Sequence, residues 1–178
     1  MHPKLAVLAF SLSALAAPLA AQTGKALPLA NGGFEEQLKG WSANADGGMS
    51  VASAAAAHSG KLGLRVTDAK DSAGSSLGSI RLPAVAGKTY EVRFQGRVVE
   101  GAGIGVYLRF IDAKGASLNS QQKKNEHIVA LGRNHTAWQA HSVKGTAPEG
   151  TAKVEVWIHS YNKNTVTADF DDVALFEL

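Results

Sequence analysis

Thr89-Tyr90-Glu91-Val92-Arg93-Phe94-Gln95-Gly96-Arg97-Val98 sets the fold class of this chain. Tyr90, Val92 and Phe94 stand two residues apart, and Glu91, Arg93, Gln95 and Arg97 fill the positions between them. Side chains of an extended strand point alternately to opposite sides, so the stretch predicts one face in a core and one polar face. The same signal recurs downstream. Gly105 to Ile111 sets Val106, Leu108 and Phe110 against Tyr107, Arg109 and Ile111, and Asp112-Ala113-Lys114-Gly115 then supplies a tight turn. Lys153 to Tyr161 sets Val154, Val156 and Ile158 against Lys153, Glu155, Trp157, His159 and Tyr161, and Thr167 to Leu178 reads as a further strand. Weaker strand signals lie at Ser50-Val51, Leu62–Thr67, Ser76–Leu82 and Trp138–Lys144.

Between these runs, 19 glycines mark turns at the spacing of an all-β sandwich or barrel. The Ala54–Ala57 run is too short to hold a helix by itself. Gln121–Leu131 has room for one helical turn before Gly132-Arg133-Asn134 ends it. Gly101-Ala102-Gly103-Ile104-Gly105 precedes a strand rather than opening a helix, so it reads as a turn and not as a phosphate loop. Neither an internal repeat nor a second domain emerges.

The N-terminus carries a different signal. Lys4 is followed by an apolar run, Leu5 to Leu19, that closes on Leu19-Ala20-Ala21. A short apolar core between a positive flank and small residues is the pattern of an export signal, with cleavage expected before Gln22. The run falls short of the roughly 20 apolar residues needed to span a bilayer. The expectation is therefore a leader over 1–21, a short linker over 22–30 and one domain over 31–178, secreted or periplasmic. No other segment is long and apolar enough for a membrane span.

Of the 178 residues, 18 are basic and 15 acidic, a net charge of +3. Beyond Lys123-Lys124 there is no basic cluster, which is a poor footprint for nucleic acid. The absence of cysteine removes disulfides, thiolate nucleophiles and Cys-based zinc sites. An exported domain without disulfides must draw its stability from packing or from a hard metal ion.

Two segments at opposite ends of the domain, with others between them, carry a resemblance. The first is Asn31-Gly32-Gly33-Phe34-Glu35, followed by Gly40-Trp41; the last is Ala168-Asp169-Phe170-Asp171-Asp172-Val173-Ala174-Leu175. Between them lie His58-Ser59-Gly60-Lys61-Leu62-Gly63-Leu64-Arg65-Val66, Ala86-Gly87-Lys88-Thr89-Tyr90, Trp138-Gln139 and Ala147-Pro148. In this order the chain resembles the carbohydrate-binding modules of families four, nine and twenty-two. The resemblance implies a galactose-binding-like β-sandwich jelly roll of two antiparallel sheets, and a non-catalytic module for a polysaccharide or oligosaccharide, expected as a monomer.

The same resemblance implies a structural calcium ion (Ca2+) joining the two ends of the sandwich. Its candidate ligands are the carboxylates of Glu35 and Asp171 and the backbone carbonyls of Gly33, Ser59 and Leu62. Calcium accepts such a mixture of oxygens in irregular geometry. The competing reading of the two acids is that they are solvated or bonded to turn amides.

A sugar face needs flat rings for the apolar side of a pyranose and forked hydrogen-bonding groups for its hydroxyls. The polar faces of three strands supply both: Arg93, Gln95 and Arg97; Tyr107 and Arg109; Trp157, His159 and Tyr161. If those strands are neighbours in one sheet, they form a single strip with three rings, and in the resembling family the cleft crosses the concave sheet. Trp41 and Trp138 read as structural.

The chemistry of catalysis is sparse. Glycoside hydrolysis needs two carboxyl groups facing across a bond, whereas Glu35-Glu36 and Asp171-Asp172 are sequence neighbours that alternation sends apart. His58, His127, His135, His141 and His159 lack metal-ligand spacing. Two other readings stand beside sugar binding. One is an adhesive surface domain contacting a protein, expected to show a broad apolar patch. The other is a small polysaccharide lyase, for which Tyr107, Arg109 and His159 are the only candidates.

Overall fold

The computed structural model describes residues 24–118 and 127–178. The leader, and the part of the expected helical turn before His127, lie outside those residues. The Thr89–Gly101 strand is laid down between two partners, and one sheet grows around it. The strands in chain order are β1 (Lys25–Ala26), β2 (Trp41–Ser42), β3 (Ser50–Ser53), β4 (Gly63–Asp68), β5 (Leu77–Ser79), β6 (Leu82–Pro83) and β7 (Thr89–Gly101). They continue with β8 (Ile104–Asp112), β9 (His127–Leu131), β10 (Gln139–Thr146), β11 (Thr151–Ser160) and β12 (Val166–Glu177).

The first sheet has the order β10-β7-β12-β4-β3, with β1 paired to the end of β12; the second has the order β2-β5-β11-β8-β9, with β6 paired to β11. The strand pairings are antiparallel throughout. The result is an all-β jelly-roll sandwich of two antiparallel sheets.

Alternation explains what lies between the sheets. Tyr90, Val92, Phe94 and Val98 of β7 and Ala168, Phe170 and Leu175 of β12 meet Val106, Leu108 and Phe110 of β8 and Val154, Val156 and Ile158 of β11 in one buried cluster. Burying a side chain of this size contributes about 1.5–3 kcal/mol. The rings pack edge to face, with Tyr90 and Phe110 5.9 Å apart at 60°. The Tyr90 hydroxyl accepts the Val85 N–H at 2.8 Å, which satisfies its polar end inside the core.

Several expectations need correction. Residues 127–131 form a strand, paired with β8, where a helical turn was expected. The Ile104–Leu131 to Leu108–His127 register extends the second sheet, and tertiary pairing overrides the weak local signal. Ser76–Leu82 divides into β5 and β6. Ala54–Ala56 is a single 3-10 turn capped by the Ser53 hydroxyl. Part of the expected linker belongs to the sandwich, because Lys25 and Ala26 pair with Glu177 and Phe176, and Leu27 and Leu29 pack on the core. Ile111, placed by alternation on the outer face, is fully buried.

The two ends of the domain meet at a bulge. Val173 N donates to Gly32 O at 2.9 Å, and a Cβ on Gly32 would lie 1.9 Å from the Val173 carbonyl oxygen. Only glycine permits that approach. The register of β12 against β7 slips between Asp171 and Ala174, with Asp172 at φ 52. This corrects a further expectation. The bulge turns Asp171 and Asp172 toward the same loop instead of opposite faces.

Candidate functional site

The eight residues expected to line a sugar face divide between the two sheets. β7 belongs to the first sheet and β8 and β11 to the second. Arg93, Gln95 and Arg97 therefore point away from the core on one side of the sandwich, and Tyr107, Arg109, Trp157 and His159 on the other. The chain crosses from one sheet to the other at Ala102-Gly103, between β7 and β8. The single strip expected from sequence is not formed.

On the second sheet the ladder places Trp157 across from Tyr107, Glu155 across from Arg109 and His159 across from Gly105. The Tyr107 and Trp157 rings are 4.9 Å apart and tilted by 46°. Trp157 and His159 are stacked at 4.2 Å and 11°. Tyr161, just beyond the end of β11, lies 6.4 Å from His159, and its hydroxyl reaches the space over Gly105. Arg109 covers the Trp157 ring with its Cζ 4.6 Å from the centroid. Tyr107, Arg109, Trp157, His159 and Tyr161 are thus one half-buried group.

Buried polar contacts fix these rings. Trp157 Nε1 donates to Ser76 Oγ at 3.0 Å, and Ser76 N donates to the fully buried Asp46 at 2.8 Å. His159 Nδ1 hydrogen-bonds the Ser75 carbonyl oxygen. A carbonyl can only accept, so Nδ1 carries a proton, and in that tautomer Nε2 is an acceptor. Ser160 Oγ donates to the buried Asp68 carboxylate at 2.6 Å and accepts Ser75 N at 2.6 Å, which pins the loop before β5 to β11. Ser75, Ser76 and Asp46 escaped sequence reading because loop serines carry no periodic signal. The Glu155 carboxylate occupies the hollow over Gly78, 2.4 Å from where a Cβ would stand, and accepts Arg81 Nε at 3.2 Å.

The outer face of the first sheet is built differently. Arg65 donates to Asp169 through Nε at 2.8 Å and Nη2 at 2.9 Å, and Arg97 Nε donates to the same fully buried carboxylate at 2.9 Å. Arg93 Nε donates to Glu91 at 2.8 Å and lies over Phe176. Trp138 packs under Arg97 and against His58, and Trp41 lies 5.1 Å from Phe34 in the core, so both have structural contacts.

Glu35 and Asp171 both accept backbone amides of the 58–62 loop. Glu35 Oε1 accepts Lys61 N at 2.7 Å and Leu62 N at 3.0 Å, and these amides hold its carboxyl below the ordinary range. Asp171 Oδ2 accepts His58 N at 2.8 Å and Ser59 N at 2.9 Å, and its Oδ1 accepts Asp172 N at 2.8 Å. Gly33 flanks it, 3.7 Å from Oδ1 at its Cβ position. Turn amides thus meet these oxygens. Even so, burial pushes the Asp171 carboxyl up, and Asp172 adds like charge. Asp172 itself bonds His58 Nδ1 at 2.6 Å and the Ser59 hydroxyl. The contacts to these carboxylates are N–H donors, and carboxylate oxygen is the ligand type a hard cation takes. Among the described residues no three His, Cys, Asp or Glu side chains converge, so an ion here would rely on carbonyls.

A cavity of about 530 Å³ opens elsewhere, at the end of the sandwich, lined by Asp68, Glu100, Arg133, Thr165 and Thr167 among others. It contains none of the rings. An open sheet surface with rings and an arginine is a better platform for an extended ligand than this ringless hollow.

A jelly-roll sandwich with a row of rings on one sheet has the architecture of a carbohydrate-binding module. Residues 29–165 match the family described as a carbohydrate binding domain, CBM_4_9, and the chain belongs to that family. No curated protein sequence matches the chain. Among solved structures, a family 16 carbohydrate-binding module is similar with a TM-score of 0.65 and 18% identity, covering 85% of this chain and 100% of the other. The CBM22-1 xylan-binding domain of Paenibacillus barcinonensis Xyn10C has a TM-score of 0.59 and 18% identity, covering 89% and 97%. The enzymatically active domain of bacteriophage CBA120 tailspike protein 4 also shares the fold, with a TM-score of 0.64 and 10% identity, covering 84% of this chain and 21% of the tailspike.

Proposed function

We propose that this protein is exported and binds a polysaccharide or oligosaccharide without altering it, on the outer face of the second sheet. The observation that carries this reading is the Tyr107–Trp157–His159 row with Arg109 at its edge. Tilted and stacked rings offer apolar area to the C–H faces of pyranose units, and Arg109, His159 Nε2 and the Tyr161 hydroxyl offer hydrogen bonds to their hydroxyls. Arg93 and Gln95 lie on the opposite side and take no part in this face. Catalysis is not part of the proposal. The acid on the face, Glu155, is bonded to Arg81 and has no second carboxyl across from it. The xylan-binding relative supports a glycan ligand by family likeness.

Calcium belongs to the same proposal as a structural ion. Glu35 and Asp171 would supply carboxylates, and Gly33, Ser59 and Leu62 carbonyls. When bound, the ion would supply the positive charge that Asp171 lacks and tie the N-terminal loop to β12. The protein is proposed to work as a monomer.

Affinity electrophoresis against soluble glycans tests the function. Retardation by a glycan, lost in a folded Trp157→Ala variant, is the expected result. A folded protein retarded by none of the glycans would favour the adhesive reading.

A further inference from the structure

We infer that the ligand of this face is an acidic polysaccharide, and that Arg109 recognises its anionic group. The inference rests on the glycan-binding reading of the second sheet.

Arg109 is set apart from the other arginines of the sheets by its partners. Arg65 and Arg97 share Asp169, Arg93 has Glu91, and Arg81 has Glu155. Arg109 stands directly across from Glu155 in the ladder, yet that carboxylate is held over Gly78 by Arg81. Among the described residues, Arg109 is left with the Trp157 ring as its contact and no carboxylate. Its guanidinium is half-buried and positive, and the ring covers one face without neutralising it. Lys153, exposed two residues before Glu155 on the same outer face, adds a second positive charge. Glu155 is matched by Arg81, so among these described residues the positive charges of Arg109 and Lys153 stay unbalanced.

A ring against the guanidinium holds it pre-organised, and its free N–H edge matches a carboxylate or sulfate in two parallel hydrogen bonds. A neutral hydroxyl forms a single, weaker bond with the same group. A sugar lying against Tyr107 and the edge of Trp157 would bring a ring substituent beside Arg109, because the arginine already touches the tryptophan. Hydrogen bonds to charged groups contribute about 1.5–3 kcal/mol, so losing this one should weaken binding by roughly 10- to 100-fold.

The test is affinity electrophoresis of the full chain in polygalacturonate, alginate, dextran sulfate, xylan, β-glucan and galactan, with carboxyl-reduced polygalacturonate beside its parent. Arg109→Gln and, as a control for general charge attraction, Arg133→Gln are run alongside, and circular dichroism confirms that each is folded. The expected result is retardation by an acidic polymer that falls at least tenfold in Arg109→Gln and is unchanged in Arg133→Gln. Loss with the carboxyl-reduced polymer assigns the anion as a uronate and does not depend on any variant folding. Equal or better retardation by dextran sulfate assigns a sulfate ester. Retardation by a neutral glycan that is indifferent to Arg109, or equal weakening by Arg133→Gln, overturns the inference and leaves the glycan face standing. Retardation by no polymer overturns both.

Discussion

Arg97 and Asp169 are cross-strand partners on the first sheet, and their bond at 2.9 Å is doubled by Arg65 on the other side of the same carboxylate. Asp169 is fully buried, whereas both guanidinium groups remain about a quarter exposed. Arg97, which sequence alternation offered to a ligand, is therefore used with Arg65 to hold β4, β7 and β12 together. Removing one member of a buried ion pair costs about 3–5 kcal/mol, because the partner charges stay behind. Asp169→Ala should lose stability of that order in urea unfolding, and Arg97→Gln should leave glycan affinity unchanged.

Gly32 lies where the N-terminal loop touches the β12 bulge. A methyl group there would overlap the Val173 carbonyl oxygen, and backbone cannot swing aside as a side chain can. Overpacking of this kind costs about 1–3 kcal/mol. Gly32→Ala should lower Tm by roughly 2–10 °C for a domain of this size, read by calorimetry. Gly87→Ser, with open space at its Cβ but φ +82, should cost less.

Calcium should raise the Tm, and a chelator should lower it, if Asp171 and Glu35 hold an ion. Ligand at a hundredfold excess over Kd stabilises by about 2.7 kcal/mol. Asp171→Asn should abolish the calcium-dependent shift. A Tm indifferent to calcium and chelator would contradict the metal proposal and leave the sugar face untouched.

Acid should weaken the seam between β9 and β10. His127 packs edge-on against Phe110, and His141 stacks on Phe94 with a buried Nε2 that has no hydrogen-bond partner. Burial holds both imidazoles below their ordinary range, with His135 adding to the effect on His141. The unfolded chain takes up those protons near pH 6.5 and the folded one resists, so stability present above that pH falls as the pH drops through the lowered values. A Tm series between pH 8 and 5 should show this decline. His141→Phe should make it shallower, and an unchanged slope would exclude His141 as a contributor.

The strands of this protein were legible because alternation is a local property. Tyr90, Val92 and Phe94 announce a core face, and β7 forms around them. Which strands share a sheet is not local. Arg93 and Tyr107 stand on equally polar strand faces, but the crossing at Ala102-Gly103 puts them on opposite sides of the sandwich. The same limit hid β9, whose His127–Leu131 run gains its conformation from β8, and the bulge that turns Asp171 and Asp172 to one loop. The meeting of the Asn31-Gly32-Gly33 loop with Val173 was legible only through family resemblance, since nothing in either segment alone names the other.

The location of the glycan on β8 and β11 is what the proposed function depends on. Its most direct test is a titration of 15N-labelled protein with an oligosaccharide from the polymer that retards it, followed by amide and side-chain shifts. Perturbations should centre on Tyr107, Arg109, Trp157 and His159, with the Trp157 indole N–H among the largest. Perturbations centred on Arg93, Gln95 and Arg97, or on the cavity beside Glu100 and Arg133, would contradict it.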